Sequence, residues 1–429
     1  MRILCVYSNS YGGGTEAVLR SGLPFINNTP GVQVIFNDMY SRTSVRRRFE
    51  DLGLPIWRSE TTDDASILSY RSGFRRKLDI VAGIPRHLRI TLQLRSAFRE
   101  CDVLYLHGYK DLALSQIARL ASGQRSLPIV WHCHGIPYGV VPPMLSKLAN
   151  RCARVIAISG DVRDRLVDIG VRASIIQTIY NAVDHIRIGR AALLKPALPL
   201  PPVVTRIIVL VCPAAIRQDK GIHLVIEALR ALPRNVDLWI TGDESDPVAS
   251  AYLCRLRSLA EREGVRERIY FLGRRDDLPS VMNLADVVCV PSTCREGFGL
   301  VAAEAMALGK PVVASCRGAL PEVVGKCGLI FDPSKPGAVA VALSTLIANP
   351  TLAASLGASG KRSVLDRFTY DRWAREVITQ LHAAASPEGH LQARVASATT
   401  EPANQVNEVN CQSGGCCNQP REHELNNRA

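Results

Sequence analysis

Short runs of apolar residues alternate along this chain with longer segments in which apolar positions recur every three or four residues. The short runs, for example at 103–106 and 287–290, are rich in valine, isoleucine and leucine, which is typical of strands buried on both faces. The longer segments, for example at 112–120 and 222–229, have the period of amphipathic helices. Because this alternation continues through both halves, it predicts an α/β fold of doubly wound parallel sheets covered by helices.

The same pattern divides the chain into five segments. Residues 1–185 are predicted to form one sheet domain and residues 204–367 a second. A stretch rich in proline and small residues, 186–203, is the predicted linker between them. Residues 368–385 are predicted to form a last helix. Apolar clusters are absent from 386–429, which predicts a disordered tail.

The stretch 295–313 is predicted to form a loop, a helix and a strand beyond the end of a buried strand. Glu296 lies in the loop and Glu304 about two turns into the helix, so both carboxylates can face one cleft. Unpaired N–H groups in the first helical turn, next to Gly297 and Gly299, would attract a phosphate. The alternative is an ordinary turn with two solvated glutamates, because glutamate usually lies on the surface.

A second glycine loop, formed by Gly12, Gly13 and Gly14, follows the first predicted strand and precedes a helical pattern. Glycines let the backbone approach a ligand closely, although many such loops are only tight turns. The spacing does not match the dinucleotide-binding fingerprint. This difference counts against an enzyme that uses a nicotinamide cofactor.

Three histidines, His107, His132 and His134, lie at or just beyond the ends of two predicted strands, and Cys133 stands between two of them. These residue types invite a metal hypothesis. Alternation along a strand places His132 and His134 on one face and Cys133 on the other, and no further ligand cluster is evident nearby. The sequence therefore predicts no metal site.

Composition and charge narrow the class of partner. The 429 residues are enough for two domains, and a net charge of +13 predicts an anionic partner. Segment 71–99 has eight Lys or Arg against the single acid Asp79, interleaved with apolar residues. It is either a solvated helix face or a surface for peripheral contact with an anionic membrane or an acidic acceptor. No nucleic-acid-binding module accompanies the charge, so no nucleic-acid partner is expected.

The thirteen cysteines show no disulfide-framework spacing. Four lie in apolar runs and are expected to be small core residues: Cys5, Cys212, Cys289 and Cys316. A reducing compartment, the cytoplasm, fits this usage. No apolar run approaches the ~18 residues that span a bilayer, so any membrane contact is expected to be peripheral, at the inner face of the cell membrane.

The spacing of Glu296 and Glu304, with Gly297-Phe298-Gly299 between them and Gly309-x-Pro311-Val312-Val313 after them, resembles a known signature. It is similar to that of the retaining glycosyltransferases of family 4, also called glycosyl transferases group 1. The resemblance is strong over residues 206–333 and weaker over 1–184. It implies the GT-B fold, in which two Rossmann-like domains face a central cleft and the last helix crosses back onto the first domain.

The resemblance also implies roles for individual residues. Glu296 and His134 would contact the donor sugar, Glu304 the ribose, and Lys220 the diphosphate. The remaining contacts implied with the nucleotide sugar come from Gly12, Gly13, Gly14, Gly273, Arg274, Gly297, Phe298, Gly299 and Leu300. The family's phosphate-binding Arg lies five or six residues before the Lys, where this chain has Ala215 and Ala214. Arg217 either replaces it or is a solvated loop residue.

The function implied is transfer of a hexose-type sugar, with retention of configuration, from a UDP- or GDP-linked donor to a hydroxyl of a glycan or lipid-linked acceptor. Such transfers build polysaccharides and glycoconjugates. No cofactor is expected, because the nucleotide sugar is a co-substrate, and the absence of an Asp-x-Asp pair predicts independence of metal. The alternatives are an epimerase or hydrolase of the same fold, a phosphorylase, and a nucleotide-sugar-binding protein without activity.

Overall fold

A computed structural model describes residues 1–7, 13–38, 43–57, 92, 94–136, 143–201, 207–211, 216–245 and 247–388. Gly12, most of segment 71–99 and the tail from residue 389 lie outside these ranges. The same is true of Cys212 and of the positions Ala214 and Ala215.

Two sheets organise the described chain, and both are entirely parallel. The first has the strand order β2-β1-β3-β4-β5-β6. Its strands are β1 (Arg2–Tyr7), β2 (Gln33–Asp38), β3 (Val103–Leu106), β4 (Ile129–Cys133), β5 (Arg154–Ala157) and β6 (Ile176–Thr178). In the register at its centre, Ile3 lies opposite both Val34 and Val103.

The second sheet has the order β12-β11-β10-β7-β8-β9. Its strands are β7 (Ile207–Val211), β8 (Val236–Thr241), β9 (Ile269–Gly273), β10 (Val287–Val290), β11 (Val312–Ser315) and β12 (Leu329–Phe331). Central strands of both sheets are buried on both faces, as their continuous apolar sequences predict. Cys5 and Cys289 are buried core residues, as predicted, while Cys316 is half-buried.

Helices connect successive strands and cover both faces of each sheet. Those of the first half are α1 (Gly14–Asn27), α2 (Thr43–Glu50), α3 (Tyr109–Ala121), α4 (Pro143–Ala149), α5 (Gly160–Asp168) and α6 (His185–Ala192). Those that follow are α7 (Ile222–Ala228), α8 (Pro247–Arg262), α9 (Leu278–Leu284), α10 (Leu300–Ala307), α11 (Leu320–Val324), α12 (Ala338–Ala348), α13 (Pro350–Arg367) and α14 (Tyr370–Ala385).

Segment 186–203, expected to link the two sheet domains, begins within a helix. Asp184 caps α6, since its carboxylate accepts a hydrogen bond from the N–H of Arg187 at 3.0 Å. The hydroxyl of Ser280 donates to the carbonyl of Ala191 at 2.7 Å, which ties α6 to α9. The first part of this segment therefore packs on the second sheet domain, and the domain boundaries themselves stay a prediction.

The last helix, α14, packs against α1 beside the first sheet. Trp373 is 1% exposed, and its ring fills the space beside Gly22, where an added Cβ would lie 2.5 Å from a ring atom. The N–H of Val183 donates to the carbonyl of Phe368 at 2.8 Å, so the two passages of the chain between the sheets run side by side. The end of the described chain thus completes the core of the first half.

Within the part of the chain that the structure describes, no single helix is long and apolar enough to cross a bilayer. The segments Ala338–Ala348 and Pro350–Ala385 together have the length and apolar composition of such a helix, but the chain is bent by 100° between them.

Candidate active site

Lys220 and Glu296 form an ion pair beyond the carboxyl end of β10. The Lys220 ammonium donates to Oε1 of Glu296 at 2.7 Å, and the hydroxyl of Ser292 donates to the same oxygen at 2.5 Å. Burial alone would lower the pKa of Lys220, but the Glu296 carboxylate outweighs it and the pKa is raised. The ammonium therefore stays charged, and no described residue donates to the second oxygen, Oε2.

Two glycines make this pair possible. Gly221 has φ +69°, and an added Cβ would lie 1.9 Å from the carbonyl oxygen of Pro291. Gly318 has φ +65°, and an added Cβ would lie 2.2 Å from the carbonyl oxygen of Glu296, to which the N–H of Ala319 donates at 2.9 Å. Close backbone approach thus brings both carriers of the pair to the same strand end.

Helix α10 begins directly after the loop that carries Glu296. Its first residue, Leu300, lies against Gly14 of the other sheet domain, where an added Cβ would be 2.8 Å from the leucine side chain. The N–H groups of the first turn of α10 and the loop at Gly13 and Gly14 therefore lie on opposite sides of one cleft. Phe298 is 3% exposed, so only its backbone is placed to meet a ligand.

Glu304 lies a little over one turn into α10, and the prediction of two turns was wrong. The helix begins at Leu300 because Gly299 before it has a left-handed conformation. Burial raises the pKa of the Glu304 carboxyl to about 7, and Arg187 opposes this shift. Near neutral pH this side chain is therefore close to half protonated.

The three histidines come together because β3 and β4 are neighbours in the first sheet. Nδ1 of His107 and Nε2 of His134 are 3.0 Å apart, and the Tyr105 hydroxyl lies 2.6 Å from Nδ1 of His132. Burial lowers the pKa of His134 to about 3 and that of the other two well below the usual range, so all three rings are neutral. Nδ1 of His134 is buried and has no hydrogen-bond partner among the described residues.

One ring nitrogen from each of the three histidines lies within 4.8 Å of the others, and among the described residues the cluster holds no further ligand. Their arrangement favours hydrogen bonding over a metal site. The rings of His132 and His134 are stacked, with centroids 4.5 Å apart and planes 22° apart, so their lone pairs do not converge on one point. In addition, Nδ1 of His107 and Nε2 of His134 form a hydrogen bond with each other.

Arg217 and Arg274 both have exposed side chains that lie beside an aspartate. The Arg217 side chain is 59% exposed and lies 3.3 Å from the carboxylate of Asp219. Arg274 is 72% exposed beside Asp276, immediately after Gly273 at the end of β9. The backbone next to Arg217 is fixed, because the carbonyl of Asp219 accepts a hydrogen bond from the N–H of Thr293 at 2.9 Å.

Sequence reasoning missed Ser292, Gly318 and Arg187 as parts of this site. A signal existed for Ser292, which closely follows a buried strand and precedes Glu296 by four residues. Arg187 carried no signal, since only the folded chain brings it near Glu304.

Two parallel sheets that face one cleft, with the candidate site at their strand ends, have the architecture of the GT-B fold. Solved structures show the same fold. Anabaena Alr3699/HepE, in complex with UDP and glucose, is 24% identical with a TM-score of 0.71, over 89% of this chain and all of that one. Sucrose-phosphate synthase from Thermosynechococcus elongatus is 21% identical with a TM-score of 0.68, over 89% of this chain and 99% of that one.

Sequence comparison then gives the family. The model described as "Glycosyl transferases group 1" matches residues 206–349, and "Glycosyltransferase Family 4" matches 59–187. Two relatives are GDP-mannose-dependent alpha-(1-6)-phosphatidylinositol monomannoside mannosyltransferases. The one from Mycobacterium tuberculosis is 29% identical over 67% of this chain and 78% of its own length. The one from Mycolicibacterium smegmatis is 30% identical over 60% of this chain and 70% of its own length. The chain belongs to glycosyltransferase family 4, and it is a glycosyltransferase.

Proposed function

We propose that this enzyme moves a hexose-type sugar from a nucleoside diphosphate to a hydroxyl of a glycan or lipid-linked acceptor, with retention of configuration and without a metal. The observation that carries the proposal is the Lys220–Glu296 pair, held next to the N-terminus of α10. The relatives that use GDP-mannose make it the first donor to test.

The chemical problem is departure of a diphosphate from an anomeric carbon. Negative charge grows on the leaving phosphate, and fixed positive groups stabilise it most where water is scarce. Lys220, the first-turn N–H groups of α10 and the backbone at Gly13 and Gly14 supply such groups. A cation and helix N–H groups can replace a divalent metal in this role, which supports metal independence.

Glu296 acts by positioning the sugar. One of its oxygens is already held by Lys220 and Ser292, and Oε2 can accept a hydrogen bond from a sugar hydroxyl. His134, which lies against the backbone of Gly297, contacts the donor sugar as well. The acceptor oxygen then bonds to the anomeric carbon from the face that the phosphate leaves, and the departing phosphate takes the acceptor's proton.

Product analysis tests the proposal. The enzyme is incubated with GDP-mannose or UDP-glucose, with and without lipid-linked or oligosaccharide acceptors, in the presence and absence of a chelator. We expect nucleotide release that depends on an acceptor, a product of retained configuration by NMR, and no loss with chelator. Equal sugar release without acceptor would instead indicate a hydrolase, and an altered nucleotide sugar an epimerase.

Replacing Lys220 by Met tests the leaving-group role. We expect kcat/KM to fall by about 10²–10³-fold, as when one donor to a developing anion is lost. The matched control is Lys326→Met, at an exposed lysine outside the cleft, and it should leave activity unchanged. Melting curves would show that both variants are folded, and equal activity of the two would contradict the role of Lys220.

A further inference from the structure

Glu322, in α11 of the second sheet domain, reaches the N-terminus of α5 in the first. Its Oε2 accepts a hydrogen bond from the N–H of Gly160 at 2.9 Å, and its Oε1 accepts one from the N–H of Asp161 at 3.1 Å. The Tyr180 hydroxyl also donates to Oε2, at 3.1 Å. One carboxylate from across the cleft therefore receives three hydrogen bonds from the opposite half of the molecule.

These contacts complete the cap of α5. A helix begins with several N–H groups that have no partner within it. In α5 the N–H of Val162 is satisfied by the Ser159 hydroxyl at 3.1 Å, and those of Gly160 and Asp161 by Glu322. A negative charge at this end is favoured by the helix dipole as well. The helix thus has a cap of which one part is local and the other belongs to the opposite domain.

Other residues hold Glu322 in place. The guanidinium of Arg367 donates to the backbone carbonyl of Glu322 at 2.8 Å and lies over the Tyr180 ring, 5.5 Å from its centroid. Beside this contact, Arg295 of the second half forms an ion pair with Asp161. The carboxylate is therefore held at the helix N-terminus by contacts on both sides of the cleft.

The contact lies next to the candidate active site. The loop before α11 is joined to Glu296 through the N–H of Ala319, and Gly297 lies against the backbone of His134, where an added Cβ would be 2.9 Å from the carbonyl oxygen. Gly160 is equally close to Glu322, since an added Cβ there would be 2.9 Å from Oε2. The Glu322 contact and the contact of Gly297 with His134 are therefore present together in this structure.

We propose that Glu322 is a positioning residue that closes the cleft by binding the N-terminus of α5, and that it thereby holds the Glu296 loop against His134 for sugar transfer. This inference rests on the proposed transferase function. Glu322 does not touch the substrate. Its loss lowers the population of the closed, competent form, and the rate falls with that population.

Steady-state kinetics and nucleotide binding together test this role. In Glu322→Ala, we expect kcat to fall about tenfold or more, because charge-assisted hydrogen bonds that favour closure are lost. The dissociation constant for GDP should stay within about threefold of the wild-type value, since Lys220 and Glu304 both belong to the second domain. The radius of gyration in solution, measured without ligand, should rise. The matched control, Glu267→Ala at an exposed glutamate, should change none of these quantities.

Gly160→Ala gives the same test from the other side. Its new methyl group would displace the Glu322 carboxylate while leaving Glu322 itself intact. If Glu322→Ala does not fold, the Gly160→Ala variant therefore tests the role of Glu322 in its place. Wild-type kcat and radius of gyration in a folded variant would overturn the role of Glu322. If the wild-type enzyme bound no nucleoside diphosphate, the proposed function would fail, but the change in radius of gyration would still test the contact.

Discussion

Glu304 is the residue whose chemistry depends most on its surroundings. Its pKa of about 7 means that the free enzyme holds a proton on this carboxyl over much of the acidic range. In the ribose-binding role proposed for it, the carboxylate accepts hydrogen bonds from hydroxyls, so the proton must leave before the nucleotide binds. Affinity for the donor is therefore linked to pH.

We predict that GDP-mannose binds about tenfold more tightly for each pH unit gained below pH 7, and that affinity levels off above it. Calorimetry in the absence of acceptor measures this affinity at each pH. The diphosphate of the sugar nucleotide does not itself titrate in that range. Glu304→Gln should bind more weakly and without this pH dependence. A pH-independent wild-type affinity would contradict the ribose role.

The same shift has the opposite consequence for the stability of the ligand-free enzyme. The folded pKa is raised from 4.5 to about 7, so between these values the unfolded chain has already released the proton that the folded chain retains. Stability contributed by this group is therefore complete below pH 4.5 and is lost as the pH rises towards 7. Bound nucleotide would offset this loss.

Prediction at the scale of single residues has a physical limit. The resemblance to family 4 implied that Lys220 and Glu296 meet a ligand, but their ion pair joins residues 76 positions apart. Periodicity reports which face of an element is apolar, and it does not report which strand ends become neighbours. The histidine cluster shows the same limit, because it depends on β3 lying beside β4.

Among the elements, the loop that ends at Gly318 controls the site most directly. Gly318 is left-handed and in close contact with the backbone of Glu296, whereas Gly337, also left-handed, has nothing within 4 Å of an added Cβ. Substitution of Gly337 therefore measures the free-energy cost of the left-handed conformation alone, and substitution of Gly318 adds the cost of the backbone contact.

We predict that Gly337→Ala lowers the free energy of unfolding by about 1 kcal/mol, the cost of a left-handed alanine. Gly318→Ala should cost at least about 2 kcal/mol more and should also lower kcat/KM, because the Glu296 loop must move. Denaturant unfolding measures the first effect and donor turnover the second. Equal losses of stability in the two variants would contradict the role assigned to the contact.

Helices and strands themselves were largely predictable. The alternation predicted helices between the strands, and one of them begins at Gly160 after Ser159, whose hydroxyl accepts a hydrogen bond from the N–H of Val162. The last helix spans Tyr370–Ala385, within the predicted 368–385. The start of α10 was harder to place, because the left-handed Gly299 delays it and moves Glu304 one turn nearer the helix start.

For the whole molecule, the packing of α14 on α1 is the contact that returns the chain to its first half. We predict that Trp373→Ala lowers the free energy of unfolding by about 3–5 kcal/mol, as for other large buried side chains. Arg375→Ala, at an exposed position of the same helix, is the control and should have little effect. Thermal or denaturant unfolding gives both values, and a loss below about 1 kcal/mol for the tryptophan would show that α14 is dispensable.

The α/β alternation predicted the two sheets, and the comparisons confirm the GT-B fold. The contact between the domains could not be predicted in the same way. Glu322 and Gly160 are 162 positions apart, and nothing in the local sequence around either one specifies the other. Such a contact depends on how the two sheet domains are oriented, which local propensity does not encode.

The chain passes between the two sheets twice, near Val183 and near Phe368, and a backbone hydrogen bond joins the passages. Two adjacent connections restrict the relative motion of the two sheet domains more than a single connection would. Because the two passages are adjacent, we expect the sheet domains to move relative to each other mainly by rotation about them. Any opening of the cleft should then be largest at the end farthest from Val183 and Phe368.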